Sequence, residues 1–320
     1  MRGFGINSLN LELMARIKYI HCFGTSHTAG GGFEFDSSLK ERVELIKENY
    51  FIENEEQTQF NYSYPGQLQK FFGDSIKVIN HAKQGYGNDR IMRIFYDIIN
   101  EIRFNKDEHI FIFEFAGLGR REYYLNNLKE YCTINWQHQY QDSHPFKKSK
   151  VDYNNGATLT NIATSYYYES KESFDFLEEN KNFFEKYVEY FVNWDVEFKR
   201  HTMENEFFVS YLSGLKFNFL YTAPPVLINS IQYSRTNEIL FGDGTYFEKS
   251  NNFLDFAWKN NLTIKDETSG RYEELHNGFK SNKLTAHIIY NRICKDFNVG
   301  NLIDINWESY FNTNFIQKEN

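Results

Sequence analysis

The feature that most constrains the fold is a set of short segments in which apolar residues follow one another. Five such segments occur along the chain: KYIHCF (18–23), SIKVINHA (75–82), HIFIFEFA (109–116), FNFLYT (217–222) and the weaker LTIKD (262–266). A strand with one face in water alternates apolar and polar residues, whereas a strand that is apolar throughout is covered on both faces. These segments therefore predict strands of a sheet packed between two layers of helices.

Helical patterns separate the predicted strands. Apolar residues recur at helical spacing in 64–73, 88–104, 171–212 and 279–297. Strands that alternate with helices form a parallel, doubly wound sheet. The sequence therefore predicts an α/β protein, a three-layer sandwich with a flavodoxin-like parallel sheet. Residues 14–320 are expected to form its single domain, and residues 1–13 an N-terminal extension.

Two polar segments exceed what such a core requires. Residues 30–63 are acidic, and residues 121–170 are rich in Tyr, Asn and Gln. Long connections of this kind are usually functional or disordered. The aromatic residues of 121–170 favour an ordered cap over the strand ends, where they would either stack on sugars or form a small core of their own.

Charge and composition exclude several classes of function. The net charge of -8 argues against a nucleic acid or an anionic membrane surface as the partner. Residues 1–13 lack the pattern of a signal peptide, and no apolar run is long enough to span a bilayer, so we expect a cytoplasmic protein. The three cysteines are scattered without disulfide or zinc spacing, and no metal or other cofactor is expected.

Glycine and polar residues follow three of the predicted strands. The first strand runs into residues 24–28 (GTSHT), and the second into a turn that contains Gly85 and Asn88. A third pattern, Glu273 and His276, follows the fifth strand and precedes the last helix. In an open α/β sheet, ligands bind outside the carboxyl ends of the strands. We therefore expect the three patterns to lie together at that edge.

These patterns resemble the sequence blocks of the SGNH (GDSL-type) hydrolase superfamily. Its first block, G-D-S-L, is similar to residues 24–27 (GTSH), the glycine of its second block to Gly85, and its D-x-x-H block to residues 273–276 (EELH). The resemblance covers the core from about Tyr19 to Phe297, apart from the two polar insertions. It implies the SGNH hydrolase fold and an enzyme that cleaves ester bonds.

The resemblance also implies a role for each matching residue. Ser26 is the expected nucleophile, His276 the base that takes its proton, and Glu273 the carboxylate that orients the imidazole. The backbone N–H groups of Ser26 and Gly85 are expected to stabilise the oxyanion. The residues by themselves allow plainer interpretations: Ser26 as a turn serine, His276 as a helix-capping side chain, and a neighbouring acid in place of Glu273.

The block after the third strand departs from the family pattern. The family has G-x-N-D, but residues 117–120 read GLGR, so Gly119 stands where an asparagine completes the oxyanion hole. Loss of one such donor costs about two to three orders of magnitude in rate. Asn88 and Arg120 are the expected substitutes. Arg120 is also a candidate for binding substrate, although arginines more commonly form salt bridges.

The sequence therefore predicts a serine esterase that releases a small acyl group, such as acetyl, from a carbohydrate. The expected partner is a small acyl ester or an acylated glycan. Two alternatives stay open. One is an O-acyltransferase of the same fold, and the other is a non-catalytic glycan-binding module, which the missing asparagine of the third block favours.

Overall fold

The computed structural model describes the α/β core and a smaller second sheet. The described residues are 17–31, 55–83, 85–101, 103–117, 119–135, 165–167, 170–222, 235–241, 248–250, 252–260, 262–264 and 278–304. The predicted N-terminal extension and much of both predicted insertions lie outside them, as does the third sequence pattern with Glu273 and His276.

The described residues form two sheets. The strands are β1 (Tyr19–Phe23), β2 (Lys77–Asn80), β3 (His109–Glu114), β4 (Arg120–Leu125), β5 (Glu130–Asn135), β6 (Ser165–Tyr167) and β7 (Phe219–Thr222). The main sheet is parallel, with the order β2-β1-β3-β7. The smaller sheet is antiparallel, with the order β4-β5-β6. The first four predicted strands are therefore confirmed as one parallel sheet.

Helices precede and follow the strands of the main sheet. They are α1 (Ser26–Ala29), α2 (Glu55–Tyr62), α3 (Tyr64–Phe72), α4 (Asn88–Ile99), α5 (Lys171–Glu179), α6 (Lys181–Phe191), α7 (Trp194–Gly214), α8 (Phe253–Lys259) and α9 (Phe279–Phe297). Short 3-10 turns lie at Gly73–Ser75, Lys106–Glu108 and Arg235–Asn237. The pattern over 171–212, predicted as one stretch, is three helices. The first interruption lies at Asn180, whose side chain donates to the carbonyl oxygen of Phe176 (2.7 Å). At the second, Asn193 caps the start of α7 by accepting a hydrogen bond from the N–H of Val196 (3.2 Å).

Both faces of the main sheet are covered. On one face, Ile110 and Ile112 of β3 pack in a cluster with side chains of α3, α8 and α9. On the other face, Phe111 and Phe113 pack with side chains of α4 and α7. This two-sided burial explains why the strand is apolar throughout. The arrangement is compatible with the predicted three-layer α/β architecture.

The predicted insertion over 121–170 is described in part, as strands of the antiparallel sheet β4-β5-β6, and its role as a cap over the strand ends stays a prediction. This sheet is joined to α4 by Arg93, which forms two hydrogen bonds with Glu122 (2.7 and 2.8 Å). The fifth predicted strand is described only over 262–264, and these residues are not part of the main sheet.

Candidate active site

Ser26 lies where the central strand β1 ends and the chain turns into a short helix. It is the first residue of α1, and its side chain is half-buried. Within the part of the chain that the structure describes, the Ser26 hydroxyl makes no hydrogen bond. The helix ends after one turn because Gly30 adopts a left-handed conformation (φ +83°), which glycine tolerates best. Ser26 is therefore placed at the carboxyl edge of the sheet, as the sequence predicted.

Glu114 connects this turn to the end of the neighbouring strand β3. Its Oε2 atom accepts hydrogen bonds from the backbone N–H groups of Thr25 (3.3 Å) and Thr28 (2.9 Å). The hydroxyl of Thr25 donates to Oε1 (3.0 Å), and that of Thr28 donates to Oε2. Burial raises the pKa of the Glu114 carboxyl, and these four hydrogen bonds oppose the rise. No local sequence pattern marks Glu114 as a site residue.

The turn after β2 approaches the same edge. The Asn80 side chain at the end of β2 donates a hydrogen bond to the carbonyl oxygen of Thr28 (3.3 Å), so the first two sequence patterns are in contact. Gly85 is buried and adopts φ +79°, a conformation that requires glycine in most settings. A side chain at Gly87 would come within 2.6 Å of the carbonyl oxygen of Arg120, which follows β3. Three strand ends thus meet, as expected for an open α/β sheet.

Asn88 is turned into the protein interior. Its side-chain oxygen accepts a hydrogen bond from the N–H of Ala116 (2.6 Å), and its amide nitrogen donates to Asn205 of α7 (2.9 Å). His201 lies beside them, 3.5 Å from the Asn88 amide nitrogen, and burial lowers its pKa to about 4. These contacts join α4, β3 and α7. They give Asn88 a role in the fold, and its predicted role in the oxyanion hole stays a prediction.

The two arginines after β3 have different surroundings. Arg120 is half-buried and donates a hydrogen bond to the carbonyl oxygen of Tyr86 (3.4 Å). Arg121 forms salt bridges with Asp89 (3.0 Å), Glu197 (3.3 Å) and Glu204 (2.8 Å). Arg121 therefore has the structural role that is commonest for arginine, and substrate binding by Arg120 stays a prediction. Gly119, at the position of the family's asparagine, is buried with φ +84°.

The predicted base and acid lie outside the described residues. His276 and Glu273 are not among them, so the distance between His276 and Ser26 stays a prediction. The structure describes the chain again from Gly278, which precedes α9. The N–H of Gly278 donates to the carbonyl oxygen of Leu262 (3.0 Å), and this contact fixes the start of the helix that follows the third pattern.

Three histidines form a hydrogen-bonded chain on the α4 side of the sheet. The ring nitrogens of His21 lie 2.8 Å from His81 and 2.9 Å from His109. Burial lowers the pKa of His21 to about 3, that of His81 to about 4, and also that of His109. Their rings stack with one another and with Phe23. Sequence reasoning missed this chain, since its members lie on three separate segments.

The described residues contain neither a metal-binding cluster nor a membrane-spanning helix. Among the described ranges, no group of three or more His, Cys, Asp or Glu side chains is arranged to hold a metal ion. In the same part of the chain, no helix combines the length and apolar character needed to cross a membrane. Comparison with protein-family models, curated proteins and solved structures found no match to this chain.

Proposed function

We propose that the protein is a serine esterase of the SGNH type that cleaves a small acyl ester, with Ser26 as the nucleophile. The observation that carries the proposal is the placement of Ser26. It begins a helix at the carboxyl end of a central parallel strand, is half-buried, and has a hydroxyl that makes no hydrogen bond within the described residues.

The usual structural role of a serine at a helix start is that of the N-cap residue, whose side-chain oxygen accepts a backbone N–H hydrogen bond. Ser26 does not hold that position, because Thr25 is the N-cap residue of α1. Here the N–H of Thr28 in the first turn is bound by Glu114 instead, and Ser26 takes no part. The plain turn interpretation therefore leaves the Ser26 hydroxyl without a function, whereas nucleophilic attack requires such an available hydroxyl.

In the proposed reaction, His276 takes the hydroxyl proton while Ser26 Oγ bonds to the ester carbonyl carbon. The oxyanion accepts hydrogen bonds from the backbone N–H groups of Ser26 and Gly85. When the tetrahedral intermediate collapses, the carbon–oxygen bond to the leaving alcohol breaks and the alcohol receives the proton from His276. Water then repeats the sequence on the acyl-serine and releases the acid. Glu273 holds the His276 imidazole in its productive orientation.

The substrate class follows from the same proposal. An acetylated carbohydrate suits the family resemblance and the polar surroundings of the strand ends, and Arg120, half-buried beside Tyr86, is the residue proposed to contact its hydroxyl groups. The predicted third oxyanion donors, Asn88 and Arg120, are left out of the reaction scheme. The Asn88 amide is bonded to Asn205 and to the Ala116 N–H, so its use would require those contacts to change.

Hydrolysis of short nitrophenyl esters tests the proposal. The wild type should release nitrophenol from the acetyl and butyryl esters, and Ser26→Ala should abolish turnover while leaving the thermal unfolding midpoint nearly unchanged. Ser213→Ala is the matched control, because Ser213 is an exposed serine that donates to the carbonyl oxygen of Val209 within α7. Equal turnover by wild type and Ser26→Ala would rule out Ser26 as the nucleophile.

A further inference from the structure

Packing alone does not account for Glu114. Its side chain is 3% exposed, and its partners are four hydrogen-bond donors without a basic group among them. Taking a carboxylate out of water costs several kcal/mol, which neutral donors offset only in part. An apolar side chain would continue β3 without that cost, as Ile110 and Ile112 do on the same face.

The contacts of Glu114 replace the usual capping of a helix. The first N–H groups of any helix have no partner within it, and the N-cap side chain normally accepts one of them. Thr25 holds the N-cap position of α1, but its hydroxyl donates to Glu114 and caps nothing. The cap is instead supplied by β3. The turn that carries Ser26 is thereby fixed to the neighbouring strand and not only to its own.

The four hydrogen bonds of Glu114 with Thr25 and Thr28, called the clamp below, are closely packed by neighbouring atoms. A Cβ atom on Gly24 would lie 2.5 Å from Oε2 of Glu114 and would also overlap the side chain of Thr28. The Tyr64 hydroxyl lies 3.5 Å from Thr28 Oγ1 and closes the other side. Ser26 is held between two residues, Thr25 and Thr28, that are each bound twice by one carboxylate. The backbone of Ser26, including its N–H group and the Cα atom that carries the side chain, therefore keeps a fixed position relative to the strand ends.

We infer that Glu114 is a positioning residue, which fixes the Thr25–Thr28 turn so that the hydroxyl and backbone N–H of Ser26 meet a substrate without rearrangement. This role rests on the proposed function, because it presumes that Ser26 is the nucleophile. Reacting groups must be held closely: a misplacement of about 1 Å can cost roughly a hundredfold in rate. Glu114 does not contact the substrate in this account and acts only through the turn.

Saturation kinetics with a fluorophosphonate probe separate positioning from binding. The maximal labelling rate constant, kinact, reports how well Ser26 is placed, and KI reports probe binding. Glu114→Ala removes every acceptor of the clamp, so we expect kinact to fall about 10- to 100-fold with KI nearly unchanged. Glu114→Gln keeps one oxygen that can accept both backbone N–H bonds now made to Oε2, so it should restore kinact to within about threefold of wild type.

Two further variants distinguish an effect on the position of Ser26 from a general loss of folding. Thr28→Val keeps the side-chain shape and the backbone N–H, and it loses the hydroxyl contacts with Glu114 and Tyr64. We expect a fall in kinact of about three- to tenfold in a protein with a thermal midpoint close to that of wild type. Glu122→Gln is the matched control, because Glu122 is a buried carboxylate, 4% exposed, that pairs with Arg93 away from the turn. It should lower stability and leave kinact unchanged.

The outcomes are distinct. Folded Glu114→Ala and Thr28→Val proteins that label as fast as wild type would overturn the positioning role and leave the proposed function intact. A wild type that the probe does not label overturns the proposed function, and the positioning role with it. An equal fall in kinact for Glu122→Gln would trace the effect to general instability, and that result also overturns the positioning role.

Discussion

At Gly24 the requirement for glycine is steric and does not come from an unusual backbone angle. The residue precedes the Ser26 turn, and its Cα hydrogens face the Glu114 carboxylate and the Thr28 side chain. A close approach of this kind leaves space only for a hydrogen atom. Gly24 therefore has a physical explanation: it lets a strand end, a turn and a buried carboxylate pack together.

This explanation predicts the effect of Gly24→Ala. The added methyl group must displace Glu114 or Thr28, so we expect a loss of about 1–3 kcal/mol in the free energy of unfolding and at least a tenfold lower labelling rate at Ser26. Gly214→Ala is the control, because no atom lies within 4 Å of a Cβ there. Denaturant unfolding and probe labelling of both variants measure the effect. A Gly24→Ala protein as stable and reactive as wild type would contradict the packing described.

At the level of the secondary-structure elements, we expect the histidine chain to make the stability of the main sheet depend on pH. His21 bridges His81 and His109 through its two ring nitrogens, and a neutral imidazole can donate with one nitrogen and accept with the other. Protonation of His21 would give it two donors and bury a positive charge. Arg90 lowers the pKa of His81 further, whereas Glu108 near the exposed end partly offsets the effect of burial on His109.

The sign of the pH dependence follows from these lowered pKa values. Below about pH 6.5 the unfolded chain takes up protons on His21 that the folded protein, with a pKa of about 3, does not. The free energy of unfolding should therefore fall as the pH drops from 6.5 towards 4, by up to about 1.4 kcal/mol per pH unit for this histidine. Urea unfolding at several pH values measures the slope.

A single variant isolates the contribution of His21. His21→Phe keeps an aromatic ring in the stack and removes the titrating group, so the slope between pH 6.5 and 4 should become shallower than in wild type. Carboxylates that titrate in the same range are present in both proteins and cancel in the difference. Identical slopes would show that His21 is not held neutral in the folded protein.

For the whole molecule, the sequence predicts the main sheet better than the features around it. The strands of the parallel sheet are recognisable because both of their faces are buried, which makes them apolar throughout. The antiparallel sheet was missed, because β4 and β5 mix polar and aromatic residues and contain no continuous apolar run. The turn between them contains Asn126 and Asn127, which favour turns, but a turn signal alone does not identify strands on either side of it.

The sequence likewise marks some residues of the candidate site and not others. Ser26 and Gly85 are candidates that local patterns and the family resemblance mark in the sequence, and their roles stay predictions. Glu114 could not be found in this way, because a single acid in an apolar run has no local signal and its partners, Thr25 and Thr28, lie more than 80 residues away in the chain. Long-range hydrogen bonds between strand ends become visible only when the sheet order is known.

Covalent labelling tests most directly whether Ser26 is an activated nucleophile. Purified wild-type protein should react with a fluorophosphonate probe at one site, and mass spectrometry of the digested protein should locate the adduct on the peptide that contains Ser26. Ser26→Ala should carry no adduct there under the same conditions. An adduct on a different residue, or a folded wild type with no adduct at all, would contradict the account.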